Sequence, residues 1–388
     1  MDGQIRRASL MTEPSPVASL APDSSPVASL APDSSPVASL APDSSPAPVL
    51  VIGANGYLGS HVTRALVADG RQVRVMVRDG ANTVGIDDLD VTRFVGDIWD
   101  DDVLRAAMTG CQDVYYCVVD TRGWLRDPAP LFRTNVDGTR NVLDVAVEPA
   151  VAPSLQKFVF TSSYVTVGRR RGKVATEADV IGDHELARLT PYVRSRVQAE
   201  NLVLEYARRR GLPAVAMCVS TTYGAGDWGR TPHGAIIAGA AFGKLPFVMS
   251  GIELEAVGIE DAAAAMLLAA QNGRPGERYL ISEKMISNAE VVRIAAEAAG
   301  VPAPTRSVPL PVSYAMAALG SLKARLQGTD ERLSLDSLRL MRAEAPVDCG
   351  KARRELGWQP RPVEESIREA AKFWVGLREA KRAGKAAG

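Results

Sequence analysis

The chain has 388 residues, and 45 Lys and Arg balance 45 Asp and Glu, so its formal net charge is zero. That length supports a substantial core in one large α/β domain or two smaller ones, and the charge balance excludes a global basic field for nucleic acid. No apolar run reaches the length of a membrane span, and Arg6-Arg7 near the N-terminus is not followed by the apolar stretch of a secretory signal.

The decapeptide SPVASLAPDS occurs three times in succession, at 15–24, 25–34 and 35–44. It is rich in Pro, Ser and Ala and has no aromatic residue, so it buries too little apolar area to offset its ordering entropy. Residues 1–46 therefore read as a disordered tail.

From residue 47 the pattern alternates. Residues 48–52 form a short apolar run of the kind seen in buried parallel strands, and 57–69 read as a helix closed by Gly70. Strands are predicted at 72–77 and 91–95, then a helix over 100–108 with acidic residues in its first turn. A fourth strand follows at 114–119, a helix at 135–146, and a fifth strand at 157–160. The basic run Arg169-Arg170-Arg171 reads as a solvated loop. A long helix over 192–210 is closed by Gly211, and 214–219 gives a sixth strand. This alternation predicts an α/β fold, a Rossmann-type doubly wound parallel sheet over 47–219. Beyond 220 the pattern loosens into helices at 259–271, 287–299 and 362–378. Residues 220–380 read mainly as a smaller C-terminal substrate lobe, with part of the segment free to join the sheet. Two uncharged stretches there, 245–249 and 311–319, read first as lobe core.

Four cysteines lie far apart without a CxxC, and the three histidines are scattered, so neither a disulfide framework nor a metal site is expected. Reduced thiols in a cytoplasmic compartment are the default.

The chemistry gathers in three places. Gly53-Ala54-Asn55-Gly56-Tyr57-Leu58-Gly59 lies between the first strand and the first helix. Missing side chains let the backbone turn tightly and approach a pyrophosphate, which the helix N-terminus then holds. At the end of the second strand stands Arg78, where a cation suits a 2′-phosphate, so NADP is favoured with NAD possible. Asp97 and Ile98 follow the third strand, and Asp97 is placed to accept a hydrogen bond from an adenine amino group. The third place is Tyr192-Val193-Arg194-Ser195-Arg196, whose Tyr and cation share one helix face.

Together with Gly96-Asp97-Ile98, Asn135-Val136-Asp137-Gly138-Thr139, Thr161-Ser162-Ser163 and Arg196-Val197-Gln198-Ala199-Glu200, these motifs resemble the extended short-chain dehydrogenase/reductase family of epimerases, dehydratases and hydroxysteroid dehydrogenases. The resemblance spans about 49–375 and is strongest to 3β-hydroxysteroid dehydrogenase-like and hopanoid-associated sugar epimerase-like members. It implies Ser163 and Tyr192 at the reacting oxygen, with Tyr192 passing a proton as hydride moves to or from the nicotinamide. Arg196 stands where the family has Lys, the residue that lowers the tyrosine pKa and binds the nicotinamide ribose. No Asp-Glu pair follows Ser163, which disfavours sugar dehydration. The resemblance leaves three readings: an oxidoreductase of a hydrophobic secondary alcohol or ketone, a sugar-nucleotide epimerase, and a non-catalytic dinucleotide sensor in which Arg196 has replaced the working lysine. It also implies a homodimer through the helix bearing Tyr192.

Overall fold

The computed structural model describes residues 47–168, 172–331, 334–340 and 345–386. The repeat tail and the run Arg169-Arg170-Arg171 lie outside the described residues.

In chain order the first half runs β1 (Val49–Ile52), α1 (Tyr57–Ala68), β2 (Val73–Val77), β3 (Thr92–Val95), α2 (Asp101–Met108), β4 (Asp113–Tyr116), α3 (Ala129–Phe132), α4 (Gly138–Ala146), β5 (Lys157–Ser163), α5 (Asp183–Leu186), α6 (Pro191–Arg210) and β6 (Ala214–Val219). The rest runs β7 (Thr221–Tyr223), α7 (Pro232–Ala241), β8 (Val248–Met249), β9 (Glu253–Gly258), α8 (Ile259–Asn272), β10 (Arg278–Ile281), β11 (Lys284–Ser287), α9 (Asn288–Ala298), β12 (Ser307–Val308), α10 (Leu310–Gln327), α11 (Leu335–Leu340) and α12 (Val363–Ala386).

Seven strands form one parallel sheet in the order β10-β6-β5-β4-β1-β2-β3. The order reverses between β1 and β4, the switch point outside which ligands of such sheets bind. Successive residues of β1 face opposite sides. Val49 and Val51 join the apolar layer beneath α1 and α8, whereas Leu50 and Ile52 join the layer under α2, α4 and α6. This two-sided burial is why the strand reads as an unbroken apolar run. The edge strand β10 comes from beyond residue 220 and pairs with β6 from Arg278↔Ala216 to Ile281↔Val219. A third apolar cluster, including Tyr223, Ile237, Ile286 and Trp374, holds the C-terminal elements together.

Three expectations need correction. The fourth strand stops at Tyr116 rather than at 119, because Cys117 and Val118 bend over the glycine turn that follows β1. The helix expected over 135–146 begins as a wide turn of π type, Arg133–Asp137, before α4. The uncharged stretch 311–319 is not lobe core: it opens α10, where Val312 is 48% and Leu319 is 68% exposed.

Candidate active site

The glycine turn is built by close approach. Gly53 has φ +82°, and a Cβ there would lie 2.9 Å from Val118 Cγ2. A Cβ on Gly59 would collide with the Gly53 carbonyl, so this third glycine lets α1 sit directly on the turn. Gly56 caps α1 without a side chain, and its carbonyl accepts from Ser60 N at 2.9 Å. The backbone N–H groups of Tyr57, Leu58 and Gly59, in the first turn, have no carbonyl within the helix to meet. They point out of the positive end of α1, the arrangement a pyrophosphate requires. The Tyr57 side chain is engaged elsewhere: its hydroxyl donates to the Gly224 carbonyl at 2.9 Å, tying α1 to the loop after β7. Only its backbone is left for a ligand. Asn55 lies half-buried in the turn itself.

Arg78, the residue after β2, is exposed, and Asp97 is half-buried just past β3. Ile98 is buried, and its carbonyl accepts from Asn141 Nδ2 at 2.9 Å. The parallel register puts the ends of β1, β2 and β3 on one sheet edge, so these residues share that edge with the glycine turn.

The reacting groups come from β5 and α6. Ser163 is the last residue of β5. Thr190 caps α6, its side chain accepting from Val193 N, and Pro191 occupies the first helical position. Tyr192 therefore sits in the first turn, at the same sheet edge as Ser163. The Ser163 hydroxyl lies close enough to the Tyr192 phenol to favour its ionised form. Gly123 packs against Tyr192, where a Cβ would lie 3.3 Å from the tyrosine Cβ and 2.6 Å from Leu340 Cδ1 of α11.

Arg196, one turn further along α6, is fully buried. Its Nη2 donates to the Thr161 carbonyl, and its guanidinium carbon lies 5.2 Å from the centre of the Phe160 ring. Nε and Nη1 are buried with no hydrogen-bond partner among the described residues. Burial lowers the guanidinium pKa, with Tyr192 and Glu200 among the groups opposing that shift. The Tyr192 pKa is pushed up by burial, while Arg196 and the Ser163 hydroxyl pull it down, and the net direction is upward. The cation thus acts on the phenol in the direction expected of the family lysine, but burial outweighs it.

The unpartnered Arg196 nitrogens, the free N–H groups opening α1 and the side-chain-free cradle at Gly53 and Gly59 together fit a dinucleotide. The turn residues would hold its pyrophosphate, and Arg196 offers donors for a hydroxyl-bearing group beside Tyr192.

Two further residues support the site: Asn135, read from sequence as a structural or cofactor-shell group, and Glu200, which carried no role there. Asn135 clamps the segment after β4 to α6: its Oδ1 accepts from Asp120 N at 2.8 Å, and its Nδ2 donates to Asp120 O and to Ser195 Oγ, each at 3.0 Å. Glu200 is buried one turn after Arg196. It accepts from Ser162 Oγ, from Thr166 Oγ1 at 2.7 Å, from Cys218 Sγ at 3.2 Å and from Arg278 Nη1 at 2.9 Å. The signal for Glu200 was its helical spacing from Tyr192 and Arg196, which puts all three on one face. Its partner on β10 left no trace in that spacing.

The family model described as NAD dependent epimerase/dehydratase matches residues 49–282. A putative dihydroflavonol 4-reductase of Synechocystis is 29% identical over 330 residues, covering 84% of this chain and 93% of that protein. Sterol demethylase protein B of Methylococcus capsulatus is 28% identical over 327 residues, covering 84% of this chain and 97% of the relative. Among solved structures, that of gox2253 superposes with a TM-score of 0.74 at 29% identity, covering 85% of this chain and 98% of that one.

Proposed function

The chain belongs to the NAD-dependent epimerase/dehydratase family and is an NAD(P)-dependent oxidoreductase, and on that premise we propose that it interconverts a secondary alcohol and its ketone on a hydrophobic, sterol- or lipid-like substrate. The observation that carries this reading is the juxtaposition of Ser163, at the end of β5, and Tyr192, in the first turn of α6, with the buried cation Arg196 one helical turn away.

When bound, the nicotinamide cofactor supplies or takes up the hydride. In the reducing direction, Tyr192 Oη gives its proton to the carbonyl oxygen, and Ser163 donates a hydrogen bond to that oxygen as charge develops on it. Arg196 stabilises the phenolate left behind. In the oxidising direction the same phenolate accepts the alcohol proton. A phenol held above its ordinary pKa is neutral at physiological pH, which supports reduction as the easier direction. An arginine performs the electrostatic part of this task but hardly deprotonates, so it does not relay a proton.

The relatives support a hydrophobic substrate: one is named for a sterol and another for a dihydroflavonol. The exposed Arg78 at the end of β2 supports NADP over NAD.

The test follows cofactor absorbance with NADPH and NADH against panels of sterol ketones and sugar nucleotides. Ketone-dependent oxidation of NADPH that disappears in Tyr192→Phe is the expected result. Turnover unchanged by Tyr192→Phe sinks the assignment. Epimerisation without net cofactor consumption, or cofactor binding with no turnover on any panel, points to the epimerase or the sensor instead.

A further inference from the structure

Helix α10 faces the wrong way for an ordinary surface helix. It buries the small residues Ser313, Ala317 and Ala324 and packs Leu310 and Tyr314 against the core, but presents Val312 and three of its leucines to solvent. Val312 is 48%, Leu319 68%, Leu322 53% and Leu326 78% exposed. A surface helix of a globular protein normally buries that stripe. At 100° per residue these four side chains, with the exposed Pro311, Ala315 and Ala318, fall on one continuous face of the helix. Lys323 borders the stripe on one side and Arg325 on the other.

Charge narrows the choice of what covers such a face. The 18 residues of α10 contain no Asp or Glu. Nearby acids lie beyond its C-terminal cap at Gly328: Glu331 approaches Lys323 at 3.8 Å, and Asp330 accepts from Arg126 N at 2.9 Å. A second copy docked on the same stripe would add two more cations, Lys323 and Arg325, and no acid from α10, with Glu331 already set against Lys323. An anionic bilayer surface meets both demands, since its acyl boundary takes the leucines and its headgroups take the flanking cations. No described helix is long and apolar enough to cross a membrane, so α10 would lie on the surface.

We propose that α10 is an interfacial helix that docks this protein on anionic lipid bilayers through Val312, Leu319, Leu322 and Leu326, with Lys323 and Arg325 at the headgroups. Its neighbour gives the docking a use. α10 packs along α11, whose Leu340 reaches Gly123 beside Tyr192, so the helix pair adjoins the candidate active site. The docking argument rests on α10 alone and does not need the proposed substrate.

The experiment is flotation of the full chain with vesicles of phosphatidylcholine containing phosphatidylglycerol, and with phosphatidylcholine alone, with no turnover involved. The wild type floats with the anionic vesicles and is released by salt. The combined variant Leu319→Ser, Leu322→Ser, Leu326→Ser loses partitioning on the order of a hundredfold. Lys323→Gln with Arg325→Gln loses about fivefold per cation on anionic vesicles and little on neutral ones. All these side chains are exposed, so thermal midpoints stay at the wild-type value and report an intact fold. Absence of flotation with anionic vesicles overturns the proposal, as does flotation indifferent to both variants. Sedimentation showing a wild-type dimer that the triple serine variant dissociates overturns it in favour of a second copy.

Discussion

Replacing Arg196 by Met separates what the buried cation does for chemistry from what it does for the fold. Arg196 lies four residues after Tyr192 on α6, about 6 Å along the axis. For a charge held about 6 Å from the phenol at an effective dielectric of about 20, the phenolate is stabilised by roughly 3 kcal/mol, or about 2 pH units. Burial already holds the Tyr192 pKa above its ordinary value, with Arg196 opposing. Removing the cation therefore raises it further. Read as the pH dependence of kcat for alcohol oxidation, the rising limb on the acidic side should move up by about 2 units, and the rate near neutrality should fall about a hundredfold. The fold should respond in the opposite sense. Met removes a fully buried charge along with the unpartnered Nε and Nη1, at the loss of one bond to Thr161 O. Replacing a buried charge with an apolar side chain of similar length is often neutral or stabilising by about 1–4 kcal/mol. Arg196→Lys keeps the charge and should keep or raise activity. A rising limb that stays in place in Arg196→Met, with the thermal midpoint unchanged, would refute the electrostatic role.

Tyr192→Phe should cost about 10²–10⁴ in kcat while leaving cofactor affinity nearly unchanged in a fluorescence titration with NADPH. Gly59→Ala forces a methyl into the Gly53 carbonyl and should abolish that titration signal, with the loss confined to cofactor binding if the circular dichroism is native. Arg78→Ala should narrow any preference for NADPH over NADH, and an unchanged ratio removes Arg78 from the cofactor site. Burial lowers the pKa of both His61 and His233 to about 4 from 6.5. Each therefore takes up a proton on unfolding between those values, so stability is complete above pH 6.5 and falls as pH drops towards 4. A thermal midpoint that is flat across that window counts against burial as the cause.

What the sequence disclosed about the site depended on how local the cause was. The glycine turn was legible because three missing side chains and one helix start lie within seven residues, Gly53 to Gly59. Tyr192 and Arg196 were legible because helical periodicity alone puts them on one face. The Tyr57 side chain was not, because its bond to Gly224 spans 167 positions. α10 was misread for a different reason. An uncharged stretch with Val and Leu looks the same whether its neighbours bury it or leave it to solvent. Only the packing of Ser313, Ala317 and Ala324 inward shows which way it faces. The end of β4 was overextended because Val118 and Val119 favour strands, while the close approach of Gly53 bends them away.

The Glu200–Arg278 pair has a consequence for how the molecule comes to be folded. Glu200 is 2% exposed and Arg278 11%, so the carboxylate beside the site obtains its cation from a strand completed 81 residues later, at Ile281. A nascent chain ending after β6 would hold a buried acid without its counter-ion, next to an open sheet edge. At synthesis rates of about 5–20 residues per second, that interval lasts several seconds. Catalytic assembly should therefore be a late event in biogenesis, and the helix bearing Tyr192 should settle only once β10 has joined the sheet.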